Sequence, residues 1–172
     1  MMFYAAAAVA VISTVLVITR SNAVHALLYL VVSFLAAAVM FFTLGAPLAA
    51  ALEVIIYAGA VVVLFVFVVM MANLQTERPR SNPWTSLRAW AGPAALSLIL
   101  LGEFLVVIAA RGTRGLGPGA VPPKAVGISL FSTYVLGVEL AAMLLLAAVV
   151  GAFHLGSRRE TPHHRFFEET PK

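Results

Sequence analysis

Five long apolar stretches, at residues 2–18, 26–44, 48–72, 91–110 and 130–155, leave this chain little choice of fold. Each has about the 20 residues that a helix rising 1.5 Å per residue needs to cross roughly 30 Å of hydrocarbon. The first ends at Thr19-Arg20-Ser21-Asn22, the second at Gly45-Ala46-Pro47 and the third at Asn73. In water, residues 61–69 would read as a buried strand. In lipid an open strand leaves backbone groups unpaired, so the helix prevails despite the β-branched residues. Composition points the same way. The chain is 62% hydrophobic and 10% charged, whereas a soluble domain carries about 25% charged residues. The fold expected is an all-α integral membrane protein, a bundle of five transmembrane helices. One transmembrane domain is expected over residues 1–155 and a polar cytoplasmic tail over 156–172.

The loops give this bundle a direction. Arg20, Arg78, Arg80, Arg88, Arg158, Arg159, Arg165 and Lys172 fall on one side, and Arg111, Arg114 and Lys124 on the other. The excess of positive charge belongs on the cytoplasmic side, so the N-terminus is expected outside and the C-terminus inside. The net charge of +4 reads as loop anchoring and not as a nucleic-acid surface. The N-terminal run has no basic region before it and no clear cleavage site before Arg20, so it is expected to stay as the first helix. The third stretch is longer than a perpendicular crossing needs. It must tilt, bend or carry an irregular turn. No internal repeat of the transporter kind is visible.

Chemistry in such a chain rests on few groups. There are no cysteines, which excludes disulfides and thiolate-held clusters within the chain. His163 and His164 read as part of a solvated tail, and Trp84 and Trp90 as interfacial anchors. No phosphate-cradling loop, nucleophile–base pair or haem site is present. Three carboxylates, Glu53, Glu103 and Glu139, fall inside apolar stretches, with no basic residue within four positions of any of them. A charge at mid-membrane costs roughly 2.5–3.5 kcal/mol on insertion scales. Such groups either carry protons or pack as hydrogen-bonded acids between helices, and spacing alone leaves both open. Tyr57 stands four residues after Glu53, on the same helical face. Gly59, flanked by Ala58 and Ala60, permits a close backbone approach or a departure from regular bonding. Ser129, Ser132, Thr133, Tyr134 and Gly137 precede Glu139. They either line a wet cavity or bond to carbonyls of their own helix.

Three runs carry a resemblance. Asn22-Ala23-Val24-His25-Ala26-Leu27-Leu28-Tyr29-Leu30 looks like the junction of the first two helices in the subunit J family of bacterial NADH–quinone oxidoreductase, respiratory complex I. This is also the chain 6 family of the mitochondrial enzyme. Residues 52–74, LEVIIYAGAVVVLFVFVVMMANL, are similar to that family's third helix, and residues 124–156 to its fifth. Glu103 departs from the family pattern, and no role is carried over to it.

The resemblance implies a multi-pass subunit in the bacterial cell inner (plasma) membrane, near the joint with the hydrophilic arm. It implies one part of an enzyme that passes electrons from NADH through FMN and iron–sulfur clusters to quinone and exports protons. The chain itself is expected to hold no cofactor and no metal and not to be catalytic alone. Implied partners are other complex I subunits, especially the small membrane subunit K and those around the quinone site, together with membrane lipid and no nucleic acid. The family's third helix can carry a π-bulge at the tyrosine and glycine matched by Tyr57 and Gly59. Its straightening would open or break a water path towards the carboxylates of subunit K. Glu53, Tyr57, Gly59 and Glu139 are therefore the proton-path or switch candidates. Two other classes share this outline: a subunit of a related cation/proton antiporter or membrane-bound hydrogenase, and a purely structural bundle.

Overall fold

The computed structural model describes residues 1–73, 87–111 and 119–157. The expected anchor at Trp84, the tail from residue 158 onward and its His163-His164 pair lie outside them. The described residues are helical, with short turns between. In order they form α1 (Met2–Thr19), α2 (Ala23–Thr43), α3 (Pro47–Leu52), a π-helical segment (Glu53–Val61), α4 (Val62–Asn73), α5 (Leu87–Arg111), α6 (Pro123–Phe131) and α7 (Val135–Gly156). Because α3, the π-helical segment and α4 run on without a break, five helical spans among the described residues are long and apolar enough to cross a membrane. The chain divides into two compact units, residues 1–125 and 126–172.

The first unit is built on the α1–α2 hairpin. Asn22 begins α2 as a side-chain cap, its carbonyl accepting from the backbone N–H groups of Val24 at 3.0 Å and His25 at 3.4 Å. That satisfies two of the donors a helix start leaves unpaired. Ala6 and Val9 of α1 pack with Val32, Ala36 and Val39 of α2 and Leu100 of α5. Lipid tails are as apolar as these side chains, so burial alone drives little association here. Small residues count because they bring backbones close enough for dense packing and interhelical bonds. One such bond joins the Thr14 and Ser33 hydroxyls at 2.8 Å.

α5 enters against Tyr29, which is 3% exposed. Gly92 faces the Tyr29 hydroxyl so closely that any Cβ there would collide with it. The Arg20 guanidinium stands 5.5 Å above the Tyr29 ring, a cation–π arrangement at the end of the hairpin. Pro93 lies inside α5 and removes one helical hydrogen bond near its start.

The turn between α2 and α3 uses Gly45 at φ 84°, a left-handed conformation that glycine adopts without steric cost. Pro47 then opens α3, where its missing N–H is not needed. The Gly45 carbonyl accepts a hydrogen bond from the Val121 N–H at 3.0 Å, so the chain following α5 is fastened onto this turn.

In the second unit the fifth apolar stretch does not run as one helix from residue 130. α6 ends at Phe131, Ser132, Thr133 and Tyr134 form a turn, and α7 starts at Val135. The Tyr134 N–H reaches the Ser129 carbonyl at 3.0 Å, five residues back, which widens the chain at this point. The Ser132 hydroxyl donates to the Ile128 carbonyl at 2.6 Å. At least this one hydroxyl of the cluster is bonded to its own helix. Among the described residues α7 has none that is buried, and Leu136, Leu140, Leu144 and Val150 are exposed alike. A helix apolar on all sides requires lipid or other protein around it.

Candidate functional site

Glu53, Tyr57 and Gly59 all fall within the π-helical segment, Glu53–Val61. In an α-helix each N–H bonds four residues back; here the bonds reach five back. The Val62 N–H that closes the segment bonds to the Tyr57 carbonyl as well as the Gly59 carbonyl. The local sequence favours this. Val54, Ile55 and Ile56 are β-branched and crowd the preceding turn of a regular helix. Ala58, Gly59 and Ala60 then offer no bulk to oppose a wider turn. A Cβ at Gly59 would stand 3.2 Å from the Val54 carbonyl oxygen, the acceptor five residues back, so glycine fits the wide turn better than any other residue. π-helical turns are uncommon and frequent at functional sites.

Glu53 lies at the start of the segment and is half-buried. Tyr57 follows one turn later and is 48% exposed. Its ring packs on Phe34 of α2 with centroids 5.4 Å apart and planes inclined at 52°. Phe34 was not singled out by the sequence, since one phenylalanine in an apolar helix gives no signal of its partner. The contact ties the irregular segment to the regular α2. A carboxyl and a phenol one turn apart can hold and relay a proton, and neither is placed as a nucleophile. Among the described residues no group of three or more His, Cys, Asp or Glu could hold a metal ion.

Glu139 belongs to the second unit, in the second turn of α7, and is exposed there. Glu103 sits on α5 between Leu100 and Val107, which are 5% and 3% exposed.

Residues 13–155 match the family described as NADH-ubiquinone/plastoquinone oxidoreductase chain 6. The chain is 58% identical over 156 residues to NADH-quinone oxidoreductase subunit J of Pseudomonas aeruginosa, covering 90% of this chain and 94% of that one. It is 51% identical over 155 residues to the protein of the same description from Escherichia coli, covering 90% and 84%. The corresponding protein of Buchnera aphidicola subsp. Acyrthosiphon pisum is 43% identical over 164 residues, 95% of this chain and 96% of the relative.

Proposed function

The chain belongs to the NADH-ubiquinone/plastoquinone oxidoreductase chain 6 family, and from this membership we propose that it couples quinone reduction to proton translocation through its third membrane span. It is a subunit J of NADH–quinone oxidoreductase, an oxidoreductase complex whose other subunits are its partners. Subunit K is the neighbour that receives the water path. Residues 1–155 act as one membrane domain in the bacterial inner membrane, N-terminus outside, with residues 156–172 as the cytoplasmic tail. The electrons travel through FMN and iron–sulfur clusters in other subunits, and this chain contributes no redox centre and is not catalytic alone.

The observation that carries this reading is the π-helical backbone from Glu53 to Val61, with Tyr57 and Gly59 inside it. A segment bonded five residues back has a regular alternative, bonded four back, that differs by one residue of helical phase. Switching between the two moves the Tyr57 hydroxyl relative to Glu53 and to the helix that follows. Water chains conduct protons only while their polar stations stay within hydrogen-bond reach, so this movement makes and breaks a path. Glu53 is the station at the head of the segment. Glu139 is a second buried carboxylate in the assembled complex, ranking behind Glu53.

The test is made in the intact complex in membrane vesicles. Gly59→Leu fills the wide turn, and Tyr57→Phe removes the hydroxyl while keeping the ring against Phe34. Both variants are expected to keep NADH oxidation and to lose several-fold in protons moved per NADH. Full pumping by both variants after normal assembly would overturn the switch. If Glu53→Gln and Glu139→Gln each pump at the wild-type ratio, these carboxylates only pack.

A further inference from the structure

Between Ala50 and Val62, both buried, the third span has no buried residue. α2 packs along α3, the π-helical segment and α4. Within the unburied stretch the Tyr57 ring meets Phe34 of α2, with centroids 5.4 Å apart and planes inclined at 52°. Rings attract at about this separation, over a range of roughly 4.5–7 Å.

The two partners differ in how firmly they are held. Phe34 is carried by α2, whose Val32, Ala36 and Val39 belong to the hairpin cluster. Ala38, one turn after Phe34 on the same helical face, is buried as well. The Phe34 ring therefore stands on an element fixed in register by close packing. Tyr57 stands mid-way along the π-helical segment and is 48% exposed. Its place around the helix axis follows the backbone bonding pattern. A return from five-back to four-back bonding shifts the phase between the ends of the segment by one residue, about 100°. Because Tyr57 lies between those ends, it takes up part of this turn whichever end is held. A ring at the tip of a long side chain, swung about the axis in this way, leaves contact with a fixed partner. The Phe34–Tyr57 pair is thus made in the π-bonded pattern and lost in the regular one.

We propose that Phe34 is a positioning residue for the third span: its ring holds Tyr57 in the π-bonded register and must be released for the span to straighten. This rests on the proposed switch and adds the group that sets the balance between its two patterns. The ring of Tyr57 serves this balance, and its hydroxyl serves the proton path.

The balance is read as the ratio of straight to π-bonded third spans among particle images of the intact complex in turnover, beside protons moved per NADH in vesicles. Phe34→Leu removes the ring and keeps an apolar side chain. It is expected to raise the ratio about two- to tenfold, the worth of one aromatic pair. Phe34→Tyr keeps a ring and should keep the wild-type ratio. Tyr57→Leu removes the same contact from the other side and should shift the ratio as far, which serves if Phe34→Leu fails to assemble; the double variant should shift it no further. Tyr57→Phe should leave the ratio unchanged while lowering protons per NADH. An unchanged ratio in Phe34→Leu, an equal shift in Phe34→Tyr, or a double variant that sums the single shifts would overturn the positioning role. An unchanged ratio in Phe34→Leu beside lost pumping in Gly59→Leu overturns Phe34 alone. A shifted ratio in Phe34→Leu with full pumping in both variants leaves the ring contact standing and removes the switch it was to serve.

Discussion

The α1–α2 hairpin and the third span are composed of the same kinds of apolar residue, yet they hold their shapes by different means. The hairpin buries Ala6, Val9, Tyr29, Val32, Ala36, Ala38 and Val39 within the chain, and its backbone is regularly α-helical. The third span, from Pro47 to Ala72, buries only Ala50 and Val62 among the described residues, and its middle is π-helical. Side-chain interlocking fixes a helix in one register, because every shift of phase would break many close contacts. Where interlocking is sparse, the backbone bonding pattern is decided by local sequence and by whatever packs outside. The hairpin is therefore held as a frame, and under the proposed switch the third span is the part that would change pattern.

The strongest attack on this contrast is Gly92→Val. It drives a branched side chain into Tyr29, where over-packing costs about 1–3 kcal/mol or more, and the yield of assembled complex on native gels should fall to a small fraction. A matched pair comes next. Ala36→Leu fills a site of 0% exposure and should reduce assembly clearly, whereas Ala60→Leu, on an exposed face of the π-helical segment, should leave the yield near wild type. Equal losses from the two would abolish the distinction between frame and moving part. The smallest effect is expected from Thr14→Val, which removes the 2.8 Å bond to Ser33. Interhelical hydrogen bonds in membranes average about 0.6 kcal/mol, so the thermal midpoint should drop only slightly.

Much of this architecture is legible in the residues. Length and hydropathy alone mark the five spans, because lipid admits so few backbone solutions. The excess length of the third stretch leaves tilt, a bend or an irregular turn open, and Gly59 between alanines leaves close packing or irregular bonding open. The irregular turn at Tyr57 and Gly59 came from resemblance, since β-branched runs occur elsewhere in the same span without disturbing it. The turn at Ser132-Thr133-Tyr134 was not read as an interruption: hydroxyl residues are tolerated in membrane helices, and nothing in their spacing distinguishes a break from a bonded stretch. The inward stripe of α5 is visible as Leu96, Leu100, Glu103 and Val107 at helical intervals. Which face of α1 meets it is not, because α1 is apolar all round and has no stripe to read.

The hydrogen bond from Val121 to Gly45 has a mechanical consequence. It clamps the Pro47 end of the third span to the chain that follows α5, while no residue of α4 beyond Val62 is buried among the described residues. Removing one residue's worth of winding from the middle of a helix turns one half against the other by about 100°. A shaft held at one end delivers such a turn entirely at the other. Under the proposed switch, the torque of a straightening third span would therefore emerge along α4.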